Sequence, residues 1–474
     1  MPNEIESTPE LGANQFKSAR FNQELPTAST TTVRQKSTSE QQAHNVIVHP
    51  RLRPVPYKPQ DIYSQAQPQP YVSMTHSNTT FYQVEDLPVN RRGFKYKLSR
   101  PSPVFQSNHY ATTDLAPFEA CISLFDRSTG VLFSRDCKTI TTAQGWRSAR
   151  ANVGIRQGSY YFECKIVNAN ANADSANADS NANDSAHVRI GLAKREASLE
   201  APVGYDGYGY GLRDIDGYLV FTSRRKNVCI EGGFTTGDVV GFLVELPSLK
   251  EQKLQLERYV EEKRSEMPAD YRVKRRKTKK KTEAVEDNVR FNEYDNIVRD
   301  QIPTKSKGAL YYDQFEYTRT KTMDHLLNPV TVFGEKAIIE MDDKTKNIPV
   351  IAGSKIRVFK NGKECTAIEN LYAFLPTNIE DVDEINLEAN VKQSSNPNYR
   401  NTDDNTLGYY PMLSVFGKGA VTLNAGPEFD FPPSDDATVK PLSDRYEEQV
   451  IEEWFWDILD EVEAQYLDSF DEIS

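Results

Sequence analysis

Residues 145–167, GWRSARANVGIRQGSYYFECKIV, constrain the fold more than any other stretch of the chain. They divide into two extended segments, 146–151 and 159–167. The second alternates apolar and polar residues through Tyr161, Glu163, Lys165 and Val167, the period of a half-buried strand. Between them Gly154 and Gly158 supply the backbone freedom of a tight reversal, so the pair reads as a β-hairpin. Two strands are unstable alone, and the hairpin therefore predicts a larger antiparallel sheet.

Further short extended pieces recur along the chain, at 118–125, 131–133, 309–317, 330–333, 355–359, 409–416 and 420–424, punctuated by Gly, Pro and Asn. This pattern predicts an all-β antiparallel sandwich spanning residues 81–433. Insertions are expected at 168–186, an Asn/Ala/Asp/Ser tract, at 248–308, and at 378–405, which is acidic and Asn-rich. Residues 1–80, rich in Ser, Thr, Gln, Asn and Pro, are expected to be disordered.

With hydrophobic residues at 38% of 474, part of the chain is expected to lie outside any packed core. No apolar run approaches the ~20 residues of a membrane span, so a soluble intracellular protein is expected, with no membrane partner. Cys121, Cys137, Cys164, Cys229 and Cys365 are scattered, lack C-x-x-C pairing and read as reduced thiols. The net charge of -11 conceals one basic run, in which Arg272, Lys274, Arg275, Arg276, Lys277, Lys279, Lys280 and Lys281 supply eight of ten residues. It reads as a solvated loop, a nuclear import signal or a phosphate-backbone contact.

Residues 444–470 differ from the rest. Val450, Ile451, Trp454, Phe455, Ile458, Leu459, Val462 and Tyr466 recur at three- and four-residue spacing, with Glu and Asp on the other faces. Ser443 or Asp444 can cap this amphipathic helix. Its stripe either packs on its own sandwich or fits a groove on another chain.

Taken in order, G-S-Y-Y-F-E, V-R-I-G-L, G-Y-D, G-D-V-V-G-F and V-F-K-N-G resemble the motifs of the SPRY domain. With G-W-R-S-A-R-A, A-P-V-G-Y-D, G-P-E-F-D-F-P-P and the acidic helix, the chain resembles the Ash/Bre SPRY subunit of COMPASS, most closely its fungal Bre type. Residues 1–80 lack the cysteine framework of the animal members' zinc-finger-like region. The resemblance implies a nuclear, non-catalytic adaptor working with a SET-domain methyltransferase subunit on histone H3 lysine 4, with no cofactor. It implies that Trp146, Arg189, Pro202, Tyr210 and Arg213 bind an acidic segment of the WD-repeat scaffold subunit. Arg213 could instead pair with Asp214 or Asp216. Val450, Ile451, Trp454, Phe455, Ile458, Leu459 and Val462 would bind a Dpy-type homodimer, with Trp454 and Trp456 bulkier than in the animal members. A nucleosome contact would run through the basic run.

Two other classes fit the residues less well. A SPRY-type substrate receptor of a ubiquitin ligase would need a RING, SOCS box or B-box, and none is visible in the sequence. An enzyme would need a nucleophile set or phosphate loop, and Gly207-Tyr208-Gly209-Tyr210-Gly211 lacks G-x-G-x-x-G.

Overall fold

The computed structural model describes residues 111–169, 186–266, 348–374, 406–433 and 438–471, together with 70–76, 79–84 and short strand fragments within 96–101 and 303–336. The expectations for most of residues 1–80, for most of the tract at 168–186, for the basic run 272–281 and for the insertion at 378–405 lie outside the described residues.

In chain order the sandwich strands begin with β1 (Pro70–His76), β2 (Thr79–Val84), β3 (Ile122–Arg127), β4 (Val131–Phe133), β5 (Thr139–Thr142) and β6 (Arg147–Ala151). Next come β7 (Gly158–Asn168), β8 (His187–Ala193), β9 (Gly209–Arg213), β10 (Tyr218–Phe221), β11 (Arg224–Val228) and β12 (Val239–Leu246). Helix α1 (Leu249–Glu266) precedes β13 (Lys355–Lys360), β14 (Lys363–Glu369), β15 (Tyr410–Phe416), β16 (Ala420–Asn424) and β17 (Lys440–Pro441), and helix α2 (Leu442–Asp471) comes after them.

One sheet runs β1-β2-β4-β5-β16-β7-β12-β13-β14, with β17 lying parallel to β7, and the second runs β11-β10-β9-β8-β15-β6-β3. Their inner faces share one core. Tyr160, Phe162, Cys164 and Ile166 of β7 and Val240, Phe242 and Val244 of β12 meet Ile190, Leu192 and Leu413 from the second sheet. The outer residues of β7, Tyr161 and Glu163, lie beneath the segment 426–433. Strand β12 is apolar on both faces because it is covered on both sides.

The hairpin expected across 146–167 does not form. Strands β6 and β7 lie in different sheets, pairing instead with β15 and β3, and with β12 and β16. Their connection crosses the sandwich, exchanging two 2.9 Å backbone bonds between Ile155 and Tyr409. Gly154 is needed there for space rather than for a left-handed backbone, since a Cβ would stand 2.5 Å from the Tyr410 ring. A genuine hairpin joins β13 to β14 through Asn361 and Gly362, with φ of 48° and 79°. Asn361 also ties that turn to β12, accepting from Val239 N and donating to Asp238, each at 2.8 Å. Burial pushes the Asp238 carboxyl up, but bonds from Asn361, the Thr235 N–H and Lys360 leave it below the usual carboxylate value.

Glu163 is fully buried and accepts the N–H groups of Asp430 (2.9 Å) and Phe431 (2.8 Å), plus the Asn424 amide at 3.2 Å. Replacing it with alanine removes the shared acceptor of two part-buried backbone donors. Glu163→Ala is expected to lower unfolding stability by about 3 kcal/mol, read from denaturant melts. A loss near zero would show that the segment 426–433 is held by its aromatic side chains instead.

Candidate functional site

The outer face of the seven-stranded sheet is overlaid by residues 198–207. Ser148 donates to Ala201 O at 2.8 Å and lies 2.8 Å from the Ser414 hydroxyl, which accepts from Val203 N at 2.9 Å. Gly204 turns the chain at φ 83°, where a Cβ would meet Val220 O at 2.2 Å. Buried Asp206 accepts from Ser198 N (2.9 Å) and Tyr208 N (3.0 Å) and closes the loop. The G-Y-D motif is therefore a loop-fixing device, and it leaves Tyr205 41% exposed.

Beside this loop stands a group of guanidiniums. Arg189 and Arg213 are cross-strand neighbours on β8 and β9. The Arg189 Cζ lies 5.3 Å from the centroid of Trp146, whose ring is 5.5 Å from Phe416. Burial and the adjacent Arg213 charge bring the Arg189 pKa down to about 10, so it remains a cation at neutral pH at some cost. Arg213 meets Asp216 at 3.2 Å, and Arg225 reaches the same oxygen at 3.4 Å. Asp214 is committed elsewhere, to His187 Nδ1 and Val188 N, each at 3.1 Å. Asp216 is thus the carboxylate that pairs with Arg213.

Trp146, Arg189 and Arg213 come together on this face, and half-exposed Pro202 lies in the loop over it. Tyr210 does not join them. On β9 the side chains alternate, so Gly211 and Arg213 face outward while Tyr210 and Leu212 face the core. The buried Tyr210 ring stacks 5.2 Å from Phe221, and its hydroxyl accepts from Tyr372 N at 3.0 Å. Tyr205, in the overlying loop, is exposed at the surface. Arg225 also belongs to the cluster, but its turn carries Thr222 and Ser223 in place of glycine, so no turn signal marks it in the sequence.

Helix α2 has two working faces. Leu442, Tyr446 and Val450, spaced by four, pack into the sandwich core. Arg445, Gln449 and Glu453 bond Gly154 O (3.2 Å), Asn152 O (3.2 Å) and Thr113 N (2.9 Å). Val450 is therefore a self-packing residue, contrary to the sequence expectation, because it continues the Leu442/Tyr446 stripe. Ile451, Phe455, Ile458, Leu459 and Val462 are 39–62% exposed, and Trp454 is half-buried.

No family model matches the chain. Set1 complex component ash2 of Schizosaccharomyces pombe is 32% identical over 417 residues, 87% of this chain and 52% of the relative. COMPASS component cclA of Colletotrichum higginsianum is 31% identical over 87% of this chain and 75% of its own length. COMPASS component BRE2 of Saccharomyces cerevisiae is 27% identical over 82% of this chain and 90% of its own length. The chain spans 52% of that ash2 and 61% of the Aspergillus fumigatus cclA, between half and two thirds of those curated relatives. A human SPRY domain of known structure overlaps 64% of this chain and 98% of its own at a TM-score of 0.27 and 11% identity.

The two tyrosines should respond differently to truncation. Tyr210→Ala is expected to cost about 3 kcal/mol of unfolding free energy through its cavity and the stranded Tyr372 N–H. Tyr205→Ala should stay within about 0.5 kcal/mol of wild type, as exposed positions do. Equal losses in denaturant titrations would contradict the opposite facing of these two side chains.

Proposed function

The chain belongs to the family of ash2, cclA and BRE2 components of the Set1 and COMPASS complexes, and from that premise we propose that it is a non-catalytic, nuclear adaptor subunit of a histone H3 lysine 4 methyltransferase complex. In this reading Trp146, Arg189, Pro202, Tyr205 and Arg213 receive an acidic segment of the WD-repeat scaffold subunit, and the pair biases the SET-domain subunit toward activity. One observation carries it. Arg189 is a half-buried cation set beside a second cation, with no carboxylate at ion-pair distance among the described residues. An acidic segment supplies the missing counter-charge, which a guanidinium can grip with two parallel bonds against the Trp146 ring.

The exposed apolar stripe of α2, Ile451, Phe455, Ile458, Leu459 and Val462, is assigned to the Dpy-type homodimer. The basic run 272–281 is assigned to nuclear import or to nucleosomal DNA. Neutralising its lysines should weaken nucleosome affinity in a salt-dependent way if DNA is the partner.

Charge reversal at both arginines, Arg189→Glu with Arg213→Glu, is expected to abolish scaffold binding and lower methylation by the reconstituted complex. Wild-type activity from that double variant sinks the scaffold assignment. Phe455→Glu with Leu459→Glu should leave the melting temperature unchanged, because both side chains are exposed, yet prevent co-elution with the Dpy-type dimer. Co-elution at the wild-type level would remove the stripe from that role.

A further inference from the structure

Among the described residues the seven-stranded sheet ends in an open edge, where strand β11 pairs only with β10. All five residues of β11, Arg224-Arg225-Lys226-Asn227-Val228, are exposed. Register places Arg224 opposite Phe221 and Arg225 opposite Val220, and Val220 in turn lies opposite Gly211. Phe221 belongs to the core side, stacked on Tyr210, whereas Gly211 shares the outer face with Arg213. Arg225 therefore projects toward the outer face, where it meets Asp216, and Arg224 and Lys226 project to the other side of the strand. Among the described residues neither Arg224 nor Lys226 has a carboxylate within ion-pair distance.

The edge is also held in position. Its turn has two consecutive left-handed residues, Thr222 and Ser223, at φ 53° and 58°. Their N–H groups bond Asp206 O (3.2 Å) and Gly204 O (2.9 Å), and the Ser223 hydroxyl donates to Tyr205 O at 2.8 Å. Left-handed threonine is strained and persists only where its surroundings hold it, so β11 is locked to the loop that presents Tyr205.

Charged side chains ordinarily keep a sheet edge from pairing with a neutral strand. The same cations attract an acidic one. We infer that β11 accepts an extended acidic segment of another chain as an eighth strand, continuing the segment received at Arg189 and Arg213, and this rests on the scaffold-docking reading. Cations on both sides of β11 match a run of consecutive acidic residues, whose carboxylates point alternately up and down. A segment with acids only at every second position would satisfy one side alone.

Fluorescence anisotropy with the full chain tests this, using a synthetic peptide that carries a run of consecutive glutamates flanked by valines. A second peptide has the same sequence with alternate backbone nitrogens methylated. Arg224→Glu with Lys226→Glu, both exposed in the native fold, is expected to weaken binding roughly tenfold, or about 1.4 kcal/mol. Backbone methylation should weaken it by a similar factor. If both changes leave affinity untouched while Arg189→Glu with Arg213→Glu still abolishes it, the edge inference falls and the docking face stands. If the edge variant weakens binding but methylation has no effect, strand addition is overturned. If none of the changes matters, edge and face fall together.

Discussion

A carboxylate sealed from water fastens the segment 426–433 to the outer face of this sandwich. Glu163 accepts two backbone N–H groups from residues 430–431, and Tyr161 two positions earlier donates to Phe431 O at 2.9 Å. A buried charge is tolerable only when its lone pairs are occupied, and here the partners come from the segment that has to be fastened. The C-terminal elements depend on that fastening. Residues 440–441 lie parallel to Tyr160 and Tyr161, and Leu442 enters the core directly after them. Strand β7 thus meets the opposite sheet on its inner face, carries the segment 426–433 on its outer one, and pairs laterally with the short strand that leads into α2.

The cationic face is built against its own electrostatics. Placing Arg189 beside Arg213 in a half-buried setting lowers its affinity for its proton, and the Trp146 ring offsets only part of that cost. Asp216 serves Arg213 and Arg225, leaving Arg189 with an aromatic ring and no carboxylate at ion-pair distance among the described residues. The overlying loop stays in place because Ser148 and Ser414 bond its backbone from below and the strained 222–223 turn bonds it from the side. Rigidity there matters, since a docking surface that is already ordered spends less binding energy on being ordered.

Much of this is legible in the sequence. The alternation through β7, the closing strands at 410–416 and 420–424, and the long terminal helix all arise from local periodicity. Which sheet a strand joins does not. Strands β6 and β7 read as a hairpin because Gly154 and Gly158 permit one, yet each finds better partners far away in the chain. Tyr210 lies off the docking face for a reason visible in the sequence: it is three positions from Arg213 on one strand, an odd separation, and so on the opposite side. Tyr205 sits in a loop with no period to read. Val450 belongs to the self-packing stripe, but a helix with two apolar faces does not announce which one is turned inward.

Helix α2 has 30 residues, about 45 Å of rise. Its first turns are bonded at Arg445, Gln449 and Glu453, spaced by four along one side. These bonds set the angular phase of everything beyond them. A single residue inserted after Glu453 would swing the outward stripe by about 100° without altering its composition, whereas seven would return it to within about 20° of its bearing. The sandwich therefore acts as a protractor for whatever the far end of the helix engages, and the spacing of residues between anchor and stripe is as much a part of recognition as their chemistry.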